Sequence, residues 1–288
     1  MIFNLNHNSI KFFEKLILFF VNIFNFFTSK DHLRIIVYHD IEDKNFKLLY
    51  NQLKYLKKNW NFITPEQFED HLKRKRRLKG KNLLITFDDG FKSNYFIAQK
   101  ILNRLNIKGI FFIPSDFVKF KSKARAFKFA KKNILDNFFE NKKEKIYNIS
   151  INNLKTLIKK GHKIGCHSKT HANLGLLKDK IKLKKEILVS GNTLEKLLDI
   201  NINHFAFTYG NFNSMSEKSL KIALPRYEFI YSCLRGNNFN NNKKTIIKRD
   251  TVYLNKGNDL LNIFLSGIID LKYLNQVRKI NRLIQNNL

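Results

Sequence analysis

Leu83-Leu84-Ile85-Thr86-Phe87-Asp88-Asp89-Gly90 joins five apolar or β-branched residues to two adjacent carboxylates and a glycine. The run has the length and composition of a buried strand. Asp-Asp-Gly is turn chemistry as well as a carboxylate pair. The same order recurs on both sides. Upstream, Leu33 to Tyr38 is strand-like and ends in His39-Asp40. Downstream, Gly109 to Ile113, Lys163 to Cys166 and Phe205 to Phe207 are short apolar runs, the last two leading into His167 and Thr208-Tyr209-Gly210. Helical spacing fills the intervals at 46–59, 94–105, 154–160 and 181–198. Another helix opens at Thr64-Pro65, an N-cap followed by proline at the first helical position, and stops at Gly80. Its basic end, Lys73 to Arg77, reads as a solvated helix terminus. Segments 217–223, 228–232, 246–254 and 260–284 complete the alternation around an Asn-rich loop at 236–244. Strands alternating with helices imply an α/β fold of parallel βα units.

The chain has 288 residues, 43% hydrophobic and 27% charged. That supports a sizeable core and rules out wholesale disorder. Two cysteines cannot build a disulfide framework, and the absence of a Cys-x-x-Cys pair removes a thiolate zinc cluster. Fifty-four Lys+Arg against 23 Asp+Glu give a net charge of +31. Such a field attracts nucleic acid, anionic lipid or acidic glycan, but it reads equally as a drift in composition along the whole chain. No recognisable reading helix or RNA-binding motif accompanies it, so no specific nucleic-acid partner is expected.

In parallel βα folds, chemistry gathers at the carboxyl ends of the strands, where the loops converge. Four polar clusters fall at such ends: His39-Asp40, Asp88-Asp89, His167 to His171 and Thr208-Tyr209-Gly210. Of two adjacent carboxylates, one can bind a metal while the other faces a water. Imidazoles at i and i+4 can share one side of a helical turn and converge on one cation. Two histidines and a carboxylate form a recurring catalytic donor set with room for a water.

Thr86-Phe87-Asp88-Asp89-Gly90, His167-Ser168-Lys169-Thr170-His171 and Phe205-Ala206-Phe207-Thr208-Tyr209-Gly210 together resemble the polysaccharide deacetylase family, the NodB-homology domain of carbohydrate esterase family 4. The likeness covers roughly residues 33–255. It implies a distorted, incomplete (β/α) barrel. It also implies a divalent metal, zinc first among the candidates, held by Asp89, His167 and His171, with Asp88 as general base. The backbone N–H of Tyr209 would stabilise the oxyanion. Many members take their general acid from a C-terminal Leu-x-His, yet no histidine follows His204. Val37-Tyr38-His39-Asp40-Ile41 instead resembles the Tyr-His-Asp element of the subset typified by poly-N-acetylglucosamine deacetylases, which implies His39 as the acid. Thr208 stands where the family usually has proline. Ala206 stands where many members have an arginine that steadies the base, so Arg249 or Asp250 is expected to supply that support.

The resemblance implies N-deacetylation of amino sugars in a bacterial glycan such as surface polysaccharide, lipopolysaccharide or a chitooligosaccharide-like chain. A catalytically degenerate domain that binds glycan or lipid-linked sugar is the second reading. Residues 31–288 are expected to form the deacetylase-like domain, with a Lys- and Phe-rich helical insertion at about 119–147 suited to a lipid or glycan face. Residues 1–30 carry the apolar run Leu16 to Phe27, too short for a confident transmembrane helix. It reads as an interfacial helix on a membrane or as a helix docked on the domain's own core. Membrane association is therefore expected, with a cytoplasmic location as the alternative. Cys166 should be a packed thiol, and His7, His32, His71, His162 and His204 solvated or core-packed.

Overall fold

The computed structural model describes residues 31–135, 147–242 and 245–287. The apolar N-terminal stretch at 1–30, with His7, lies outside these, as does 136–146 of the expected insertion.

Strand β1 (His32–Tyr38) pairs in parallel with β3 (Lys81–Phe87) along its whole length, from His32 opposite Lys81 to Tyr38 opposite Phe87. From β3 the sheet continues through β4 (Gly109–Ile113), β5 (Lys163–Cys166), β6 (His204–Ala206) and β7 (Phe229–Tyr231). On the other side β8 (Asp250–Thr251) pairs with β1, and the short β2 (Asn61–Phe62) pairs with β3. All these pairings are parallel. The segment before β8 also reaches β7, through a single parallel bridge between Ile247 and Tyr231. The sheet therefore curls almost shut, and the last seam is held by very short contacts. This is the expected incomplete barrel.

Successive side chains on a strand point to opposite faces, and here each face has its own core. Leu33 and Ile35, Leu84, Ile110 and Phe112, Ala206, Phe229 and Tyr231 fill the space inside the curl. Ile36 and Tyr38, Leu83, Ile85 and Phe87, Phe111 and Ile113 face the surrounding helices. The helix Pro65–Leu72 contributes Phe68 and Leu72 to the inner core. It starts where the sequence indicates: Thr64 and Gln67 form a reciprocal capping box ahead of Pro65. Each large apolar side chain buried this way contributes roughly 1.5–3 kcal/mol.

Three segments take a more definite form. Segment 260–284 falls in two helices, Gly257–Ser266 and Leu274–Gln285, broken at Gly267, whose φ of 94° suits glycine. Within 246–254, β8 is the one described strand. The insertion contains the helix Lys123–Asn133, and among its described residues Phe117, Phe120 and Phe129 pack together with Phe91. Among the described residues no helix is long and apolar enough to cross a membrane.

Candidate active site

Alternation along the strands aims Asp88 and His167 into the mouth of the curl. Asp88 continues the inward series of Leu84 and Thr86 just past β3, and His167 follows Gly165 just past β5. Cys166 points the other way, as expected. Its thiol is fully buried, 2.9 Å from the Ser190 hydroxyl, and burial pushes its pKa up to about 11.

Asp89, His167 and His171 come together, with one ligand atom from each within 4.8 Å of the others. The Nε2 atoms of His171 and His167 lie 3.2 and 3.6 Å from the same oxygen, Asp89 Oδ1. Their other ring nitrogens are already committed. His167 Nδ1 sits 2.8 Å from the Ala206 carbonyl and His171 Nδ1 3.0 Å from the Asn133 carbonyl. A carbonyl only accepts, so each Nδ1 carries the proton, and in the neutral ring each Nε2 presents a lone pair. Asp89 Oδ1 is buried and lacks a hydrogen-bond donor. With both rings neutral, three electron-rich atoms converge with no proton among them, an arrangement that a cation resolves. The donor set fits a divalent ion.

The two histidines do not share a helical turn. They lie on a loop in which Ser168 and His171 have φ of 61° and 66°, and Asp89 and Tyr209 also adopt positive φ, at 73° and 61°. Non-glycine residues rarely occupy that region, and such strain collects at functional sites. The loop is pinned from below: Glu186 accepts the N–H groups of Lys169 and Thr170 at 2.9 and 2.8 Å. Nothing in the spacing of the motif pointed to Glu186. Its one signal was an isolated acid in a Lys-rich helix, beside the core residue Ile187.

Asp88 is buried against Arg249, which donates to both carboxylate oxygens at 2.7 and 2.8 Å. Of the two candidate partners for Asp88, Arg249 makes the contact; Asp250 instead pairs with Arg34, at 2.6 Å, on the other face of the sheet. Arg249 is itself fixed, with Nε donating to the Ser232 carbonyl at 3.0 Å and the guanidinium 5.1 Å from the Phe112 ring centre. Burial pushes the Asp88 carboxyl up, but Arg249 and then His167 outweigh it and hold its pKa below the ordinary carboxylate value. His167 Nε2 lies 3.8 Å from Asp88, so this second carboxylate adjoins the cluster of Asp89, His167 and His171.

His39 is exposed at the end of β1, near enough for its charge to help lower the pKa of both Asp88 and Asp89. The ring of Tyr209 is 44% exposed and 5.2 Å from that of His171. Thr208, in place of proline, is buried and donates its hydroxyl to the carbonyl of Ala172 at 2.5 Å, tying this loop to the residue after His171. Gly210, φ 62°, has no room for a side chain, since a Cβ there would lie 2.6 Å from Cys233 N. His32, His71, His162 and His204 are all buried in the body of the protein, as expected.

A family model described as polysaccharide deacetylase matches residues 75–223, just over half of the chain. That span holds Asp88 to Tyr209 and leaves out His39 and Arg249. Among solved structures, the Streptococcus pyogenes deacetylase PplD in complex with acetate superposes with a TM-score of 0.62 at 17% identity, over 82% of this chain and 99% of that one. IcaB from Ammonifex degensii gives 0.61 at 20% identity, over 82% and 97%. A de-N-acetylase from Aggregatibacter actinomycetemcomitans gives 0.61 at 14%, over 81% and 100%. At such identities the likeness is one of fold. A search of curated proteins found no match. The chain belongs to the polysaccharide deacetylase family and, as a member of it, is an N-deacetylase, a hydrolase of carbon–nitrogen bonds outside peptides.

Proposed function

We propose that the protein removes N-acetyl groups from amino sugars of a bacterial glycan by metal-dependent hydrolysis. The observation that carries this reading is the convergence of two Nε2 lone pairs on Asp89 Oδ1, beside a second carboxylate held by Arg249. Asp89, His167 and His171 would hold the metal. When bound, it supplies Lewis acidity, easing deprotonation of a water and polarising the acetyl carbonyl.

Asp88 is the general base. Arg249 keeps it ionised and fixes the direction of its lone pairs, so it accepts the proton as the water attacks the carbonyl carbon. The backbone N–H of Tyr209 donates to the developing oxyanion, and the Thr208 hydroxyl and Gly210 hold that backbone in its left-handed conformation. His39, exposed at the mouth, protonates the departing sugar amine. Supporting this, it lies within electrostatic reach of both aspartates, as a proton donor opposite the base should.

The test is acetate release from N-acetylated oligosaccharides by the full chain. Asp88→Asn should abolish turnover, and His39→Ala should lower kcat by about 10²–10⁴-fold with little change in KM. Unchanged turnover in His39→Ala would remove it from the acid role. Retained activity in Asp88→Asn would sink the base assignment.

A further inference from the structure

We propose that the outward face of the helical segment 180–189 docks on an anionic lipid bilayer. Lys180–Lys184, Lys185–Val189 and Ser190–Leu198 form one continuous helical run. Its inward side is ordinary: Leu183, Ile187 and Leu194 are buried in the main core. Its outward side is not. Ile181 is 67% exposed and Val189 44%, and Leu176, in the turn just before the helix, is 72% exposed. A surface helix normally keeps one apolar stripe, turned inward. A second, outward stripe needs something else to cover it.

Charge chooses the cover. Lys178, Lys180, Lys182, Lys184 and Lys185 are exposed around these apolar side chains. The stretch has two acids, and both are used elsewhere. Asp179 caps the helix, accepting from Ile181 N at 2.7 Å, and Glu186 turns inward to the His167–His171 loop. The neighbouring helix Glu217–Ala223 adds Lys218 across a groove of about 670 Å³ floored by Leu188, Ile222 and Pro225. Apolar side chains ringed by lysines match a phospholipid surface, where the lysines meet headgroup phosphates and the apolar tips enter the acyl boundary. A soluble polyanion leaves the apolar tips in water. A second copy of a +31 chain is repelled.

The position bears on the reaction without depending on it. Leu176 lies on the loop that leaves His171, and Glu186 on the same helix braces that loop. Docking by this face sets the ligand loop close to the lipid surface.

The experiment is co-sedimentation of the full chain with phosphatidylcholine vesicles, with and without phosphatidylserine. Two exposed pairs are altered separately: Ile181→Ser with Val189→Ser, and Lys182→Glu with Lys185→Glu. Binding should require phosphatidylserine and weaken at least about tenfold in each pair, since one lysine near such a surface is worth about fivefold. Acetate release from a soluble oligosaccharide should be unchanged, which separates this surface from the catalytic reading. The inference is overturned if the wild type ignores both vesicles, binds them equally, or binds as tightly with either pair altered. Loss in the lysine pair alone, matched by equal loss of heparin binding, assigns the face to a polyanion and also overturns it.

Discussion

Replacing Arg249 by methionine tests whether it keeps Asp88 ready as the proposed base. The guanidinium and the Asp88 carboxylate are both buried, joined by two bonds of 2.7 and 2.8 Å. Removing one partner of such a pair leaves the other charge uncompensated, a loss of about 3–5 kcal/mol. Asp88 would then feel burial without its main counter-charge, so its pKa should rise above the usual carboxylate value of about 3.9. Two readouts follow. Urea unfolding at neutral pH should show the stability loss, and much of it should return in Arg249→Met/Asp88→Asn, where no unpaired charge remains. In the pH–rate profile of the single variant, the acid limb should move to higher pH, because the base must lose its proton before it can act. Arg249→Lys keeps the charge without the two-pronged geometry and should fall between. A methionine variant as stable as wild type, with an unmoved acid limb, would refute the assignment of Arg249 as the support of the base.

Two further outcomes are expected. Thr208→Val leaves the Ala172 carbonyl without its buried donor and should cost about 1–3 kcal/mol in urea unfolding, whereas Thr208→Ser should retain most of the stability. Equal stability of the valine variant would show that the hydroxyl does not tie the two loops. His162 accepts the Gly109 N–H on Nδ1, and burial lowers its pKa to about 4. Between about pH 6.5 and 4 the unfolded chain therefore binds more protons, so stability should fall by about 3 kcal/mol as pH drops through that window. His162→Gln should lack that part of the slope, and identical slopes would contradict the account.

Much of this architecture could be read from local pattern. The apolar runs ending in Asp88-Asp89 and His167 mark strands and the edge that carries the chemistry, because side-chain alternation and parallel topology leave few other places for it. Thr64-Pro65 locates a helix start because the cap is made within four residues. What escaped the reading is long-range or stereochemical. Arg249 meets Asp88 across the barrel, and its neighbour Asp250, one residue on, points to the opposite face; only the strand's phase separates them. The His167–His171 spacing suits a helical turn, but two left-handed residues and Glu186 build a loop instead. The Asn133 carbonyl that sets the His171 tautomer comes from the insertion, which no motif links to the site.

The most direct measurement is the metal content of the purified full chain, wild type against His167→Ala/His171→Ala. Two lone-pair donors aimed at one buried carboxylate oxygen predict about one divalent ion per chain in the wild type and its loss in the double variant. A wild type that takes up no metal even on reconstitution, or a double variant that retains it in full, would contradict the central claim.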